Sequence, residues 1–149
     1  MKITDAFLGE HGVFYAQFDR LEQVVPKTET LGQVQDQASL LAAALATHAH
    51  LEDELLFVPL EPHLGAQVGP VAMMRLEHND IERSLGQIPD LKDLSAAKKL
   101  LLHAVEVARE HFAKEEQILY PLSEQALGAE ILSRLGAQWA KQRKVIIHG

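Results

Sequence analysis

A histidine and a glutamate four residues apart occur twice in this chain, inside stretches that match position by position. His48-Ala-His-Leu-Glu52-Asp53-Glu-Leu-Leu56-Phe57 aligns with His111-Phe-Ala-Lys-Glu115-Glu116-Gln-Ile-Leu119-Tyr120, and a proline follows each, Pro59 and Pro121. Four residues is one helical turn, so on a helix each histidine and its glutamate share a face. An imidazole and a carboxylate stacked in this way can grip a metal ion. One such pair arises by chance in many helices, but this chain repeats it in register. Two further segments carry a Glu-His pair, Glu10-His11 and Glu77-His78. The order along the chain is therefore His, His-x-x-x-Glu, His, His-x-x-x-Glu.

That order resembles the hemerythrin-like, or HHE cation-binding, family over about the first 120 residues of the 149. The resemblance implies an all-α fold, an up-down four-helix bundle over about residues 5–121, with a non-haem di-iron site between the helices. Residues 1–149 would form a single domain, with a short additional C-terminal helix over about 123–141. The resemblance also implies the ligands. His11 and His48 would hold one iron, His78 and His111 the other, and Glu52 and Glu115 would bridge the pair beside an oxygen-derived bridge. At least one position would stay open for a small molecule such as dioxygen or nitric oxide.

The donor types agree with that expectation. Four imidazoles and two carboxylates suit iron, and zinc or manganese as well. A single structural zinc needs only four ligands, so six are too many for one such ion and about right for two. The sequence departs from the seven-ligand oxygen carriers of the broader family, which have two histidines four apart on the third helix. Here the neighbours of His78 at that spacing are Met74 and Glu82. Either the site has six protein ligands or Glu82 is a seventh, and the departure points away from reversible oxygen transport.

Composition excludes several other functions. The net charge is −7, from 21 acidic and 14 basic residues, which opposes general nucleic-acid binding and attraction to an anionic membrane. With no cysteine, disulfides, thiol catalysis and Cys-ligated metal are ruled out. Asp5 and Glu10 stand where a signal peptide needs its apolar core, and no stretch approaches the roughly 18 apolar residues of a membrane span. A cytoplasmic protein is the expectation. The apolar fraction of 47% is enough for a core, and aromatics at 5% are few, which favours helices.

Along the chain, a first helix is expected from about Asp5 to Val25, capped by Thr4 or Asp5 and ended by Pro26. Phe7, Leu8, Phe14, Phe18 and Leu21 form its apolar face, with His11 and Tyr15 among them. A second helix runs from about Thr30 to Phe57, with Leu41, Ala44, Leu45, His48, Glu52, Leu55 and Leu56 in one stripe. His50 and Glu54 are also four apart, but His50 sits roughly 200° around the helix from His48, so they read as a solvated surface pair. Val58 to Gly69 is expected as the main loop, with His63 exposed. Pro70 starts a third helix to about Leu85, facing inward through Val71, Met74, His78, Ile81 and Leu85. Ser95 would cap the fourth, whose inward stripe is Leu101, Ala104, Val107, Ala108, His111, Glu115, Ile118 and Leu119. His103 falls at the boundary or on the surface, and Glu116 faces out or accepts a hydrogen bond beside the site. Pro121 would end the fourth helix. The C-terminal helix through Ala126, Leu127, Ile131, Leu135 and Trp139, weakened by Gly128 and Gly136, would pack on the bundle end or form a homodimer contact. His148 is not expected to bind metal.

No Glu-x-x-His pair, His-Glu-x-x-His, Gly-rich phosphate loop or Gly-x-Ser-x-Gly elbow occurs. The expectation is a binding protein rather than an enzyme: a di-iron centre that takes dioxygen or nitric oxide for sensing, storage or stress protection. The alternatives are an iron donor for repair of iron–sulfur centres, or a helical interaction module that binds zinc or no metal. Relatives proposed for repair often carry a cysteine-containing N-terminal segment. Only ten residues stand before His11, and none is cysteine, which weighs against that reading.

Overall fold

The two helices that carry the repeated motif start on side-chain caps. In a computed structural model, which describes residues 1–148, the Thr30 hydroxyl accepts from the Gln33 N–H at 3.3 Å and the Asp93 carboxylate accepts from the Ala96 N–H at 2.9 Å. Each cap satisfies a donor that the first helical turn leaves unpaired. Asp93 therefore caps the fourth bundle helix in place of the expected Ser95, which already lies in the first turn.

The four bundle helices are α1 (Ile3–Val24), α2 (Leu31–Glu52), α4 (Pro70–Gln87) and α5 (Leu94–Lys114), with α3 (Val58–Leu64) after α2 and the kinked α6 (Tyr120–Arg143) after α5. Among the described residues there is no strand, and no helix is long and apolar enough to cross a membrane.

Neither repeated motif ends at its proline. The helix passes through a five-residue π-helical segment, Asp53–Phe57 after α2 and Glu115–Leu119 after α5, and then continues as α3 and α6. Pro59 and Pro121 fall in the first turns of α3 and α6, where a missing N–H costs little. The expected loop from Val58 shrinks to Gly65–Gly69, and Gly65 (φ 87°) and Gly69 (φ 91°) supply its left-handed backbone. The wider π turn also rotates side chains off the faces that α-helical spacing would give them: Ile118, expected inward, is exposed. Leu8 is exposed too, so the buried face of α1 is narrower than its apolar pattern suggests.

The expected C-terminal helix is not clearly distinguished from the bundle, because it follows a kink within one longer helical run. Residues Tyr120–Arg143 continue from α5, with one break at Gly128 (φ 78°, ψ 163°). Beyond the break, Leu132, Leu135 and Ala140 are buried. Gly136 lies so close to the Met1 carbonyl that a β-carbon there would overlap it.

Two apolar clusters fill the bundle. One gathers Phe14, Phe18, Leu41, Leu85 and Leu101. The other gathers Phe7, Leu55, Leu56, Leu60 and Leu132. His48 touches both, with Phe7 edge-on at 5.6 Å and Phe14 at 5.4 Å between ring centres. A layer of polar side chains thus lies between two dry ends.

Candidate metal centre

That layer is supplied by four helices. His11 comes from α1, His48 and Glu52 from α2, His78 from α4 and His111 from α5, while Glu115 opens the π segment beyond α5. His11, His48, Glu52, His111 and Glu115 are buried, and the His78 side chain keeps 11% exposure. All six converge. One group is His11, His48, Glu52 and Glu115, and the other is Glu52, His78, His111 and Glu115. Within each group the candidate ligand atoms lie within 4.8 Å of one another, and both carboxylates belong to both groups.

The imidazoles turn Nε2 toward the carboxylates. His11 Nε2 is 3.3 Å from Glu115 Oε1 and His111 Nε2 is 3.4 Å from the same oxygen. His78 Nε2 is 3.1 Å from Glu52 Oε1 and His48 Nε2 is 3.6 Å from Glu52 Oε2. Three of the rings are held from behind at Nδ1. Glu116 meets His11 at 2.8 Å, Glu10 meets His48 at 2.7 Å and Glu77 meets His111 at 2.9 Å. With Nδ1–H donating to a carboxylate, the Nε2 lone pair is free to bind a cation.

Those holding carboxylates are themselves anchored. Glu10 accepts from Trp139 Nε1 at 2.8 Å and Arg143 Nε at 2.7 Å. Burial alone would raise its carboxyl, but hydrogen bonds from His48, Arg143 and Trp139 bring it down to about 2. Glu77 accepts from Lys114 at 2.7 Å, and Lys114 and His111 together hold it below the usual range against its burial. Glu116 accepts from the Tyr15 hydroxyl at 2.6 Å.

A match to a known protein family agrees with this geometry. The model of the hemerythrin HHE cation-binding domain matches residues 2–123 and again residues 70–145. The chain belongs to the hemerythrin HHE cation-binding family. It has no match among the curated proteins or the solved structures. The second match begins where α4 begins, in keeping with an HHE chain whose two halves each carry a histidine followed by His-x-x-x-Glu.

Bound metal fits the centre of this hemerythrin-like bundle on physical grounds. His48 Nε2, His78 Nε2, His111 Nε2, Glu52 Oε1 and both Glu115 oxygens are buried without a hydrogen-bond partner. Each such orphan costs roughly 1–3 kcal/mol, and here they all point at one spot. Cations placed there would satisfy every one of them. Without metal the cost shows in the titration. Burial pushes His11 and His111 down to about 4. Burial and the neighbouring Glu52 charge push the Glu115 carboxyl well up. Glu52 is held low despite its burial, through Glu115, His48 and His78.

The other four histidines stay apart. His50, His63, His103 and His148 are exposed, and His50 Nε2 lies 3.4 Å from Glu54 on the surface. Glu82 is exposed and joins neither group of converging ligand atoms. Met74 is buried in the apolar cluster. Sequence reasoning missed three features of the site. It paired Glu10 and Glu77 with their own neighbours His11 and His78, whereas they hold His48 and His111 across the bundle. It placed Trp139 away from the site and gave Arg143 no role in it. It gave Tyr120 no role, although its hydroxyl donates to Glu52 Oε2 at 2.6 Å and lies 3.1 Å from His11 Nε2. The register match of Tyr120 with Phe57 was the available signal.

Proposed function

We propose that this chain is a non-haem di-iron protein that takes up a small diatomic ligand, dioxygen or nitric oxide, for sensing, storage or stress protection, as one functional domain. The observation that supports the reading is the pair of four-atom ligand groups that share both carboxylates. A shared pair of carboxylates suits two adjacent cations, and the mixed imidazole and carboxylate donors suit iron among first-row metals. His11 and His48 would hold one ion, His78 and His111 the other, with Glu52 and Glu115 between them. When bound, such a pair supplies redox-active binding of a diatomic molecule. The chain's own contribution is placement: Glu10, Glu77 and Glu116 fix the imidazole rings, and the flanking apolar clusters keep bulk water out.

Metal content of anaerobically purified protein, by plasma mass spectrometry, tests this reading together with the absorption spectrum before and after air. The expected result is about two irons per chain and a near-ultraviolet oxo-bridge band that appears in air. A single zinc, or a stable bundle with no metal, would replace the reading with that of a helical interaction module.

A further inference from the structure

Trp139 and Arg143 are four residues apart, so on α6 they share a face, one turn apart. Two contacts seat α6 along α1, one on each side of the Gly128 kink. Before it, Glu124 accepts from Lys2 at 2.7 Å and from Thr4 at 3.0 Å. After it, Gly136 lies against the Met1 carbonyl. So seated, α6 brings both side chains to Glu10. Both Glu10 oxygens are then engaged. Oε1 meets His48 Nδ1 at 2.7 Å, and Oε2 accepts from Trp139 Nε1 at 2.8 Å and from Arg143 Nε at 2.7 Å.

The other two carboxylates behind the imidazoles are held from within the four-helix bundle. Glu116, behind His11, accepts from Tyr15, which shares α1 with His11. Glu77, behind His111, accepts from Lys114, which shares α5 with His111. Glu10 is held from α6, outside the four bundle helices. It also has an alternative place. A solvent-open groove of about 270 Å³ between α1 and α2 is lined by Glu10 and Arg143, and a carboxylate is better solvated in water than inside a protein. The two donors from α6 hold Glu10 inward against that pull, and the bond from the guanidinium is charge-assisted. The start of α6 reaches the same half of the centre, because the Tyr120 hydroxyl lies 3.1 Å from His11 Nε2.

We propose that Trp139 and Arg143 are positioning residues for His48, acting through Glu10, so that the C-terminal end of α6 governs metal binding in the half of the centre built on His11 and His48. The inference rests on the two-metal reading above and adds what holds one half in place. Removing both donors leaves Glu10 free to turn into the groove, and the His48 ring then loses the partner that sets its orientation and basicity.

The test is iron(II) binding to the full chain without air, by competition with a colorimetric chelator, which gives the affinity of each of the two binding steps. Trp139→Phe keeps an aromatic ring and removes the N–H. Arg143→Met keeps an unbranched stem at a side chain already 28% exposed. In the double variant one step is expected to weaken by about fivefold or more while the other stays within about twofold. Each single variant is expected to weaken that same step by less, which keeps the test sound if the double variant does not fold. Arg143→Lys, which keeps a cation for Glu10, is expected to recover most of what Arg143→Met loses. Gln142→Ala, which removes only a surface contact with Glu54 at 3.2 Å, is expected to change neither step. Side chains that merely support the fold would shift both steps together, and that result would overturn the proposal, as would two unchanged steps in every variant. An unaltered chain that binds one iron or none would instead overturn the two-metal reading, and the one-sided hold with it.

Discussion

His48 and His50 are two residues apart and have opposite fates. His48 is buried with Nδ1 on Glu10 and Nε2 facing Glu52, while His50 stands 74% exposed beside Glu54. His48→Ala should lose at least one metal per chain, and His50→Ala should lose none, by metal analysis of the purified variants. Normal metal content in His48→Ala would refute the assignment. The carboxylates behind the rings should matter nearly as much. Without Glu77, nothing else is seen to orient His111 at Nδ1. Glu77→Ala should weaken metal binding by about 10–100-fold, read by competition with a chelator, because such partners set ring orientation and basicity. Tyr120→Phe removes the donor to Glu52 Oε2. In the metal-free protein that leaves a buried carboxylate oxygen unpaired, and chemical denaturation should show a loss of roughly 1.5–3 kcal/mol. No change would mean that the hydroxyl is not donating there.

At the level of elements, the convergence of the six side chains was legible because helical spacing turns sequence distance directly into shared faces. The π segments were not. They are marked by backbone N–H groups that bond five residues back, Val58 to the Asp53 carbonyl and Tyr120 to the Glu115 carbonyl. No side-chain pattern announces those bonds. Their effects were misread in turn, as a helix end at about Phe57, a loop from Val58, a helix end at Pro121 and an inward Ile118. Both π segments begin at or just after one of the converging carboxylates, and such bulges often mark functional sites. The cross-bundle pairs of Glu10 with His48 and Glu77 with His111 were equally hidden, because they depend on how the helices dock rather than on spacing within one. Gly128 was visible only as a weak point in a helix. Its backbone (φ 78°, ψ 163°) lies in a region that is essentially glycine's alone. Gly128→Ala should therefore destabilise by about 1–3 kcal/mol, a drop in melting temperature without loss of bound metal. An unchanged melting temperature would show that α6 can run through position 128 without the break.

For the whole molecule, the polar layer between two apolar ends makes stability depend on what fills it. In the metal-free protein, His11 and His111 titrate near 4 because burial disfavours their charged forms, against about 6.5 when unfolded. Between those values the unfolded chain binds more protons, so their contribution is complete above about pH 6.5 and is lost as pH falls toward 4. Glu115 acts in the opposite direction. Its raised carboxyl favours the metal-free fold while protonated, and that contribution is lost as pH rises above the usual carboxylate range. With Glu115 as a ligand, metal uptake would require it to release its proton, which would couple metal affinity to pH. Each proton released makes binding weaker by about 1.4 kcal/mol per unit of falling pH. The loaded protein should therefore melt well above the chelator-treated one at about pH 7.5, and the gap should narrow markedly by about pH 5.5. Thermal melts with and without chelator at both values measure it. Coincident melts at the higher pH would mean that the six buried side chains are stable without a cation, and a gap that widens at the lower pH would mean that Glu115 does not carry the proton.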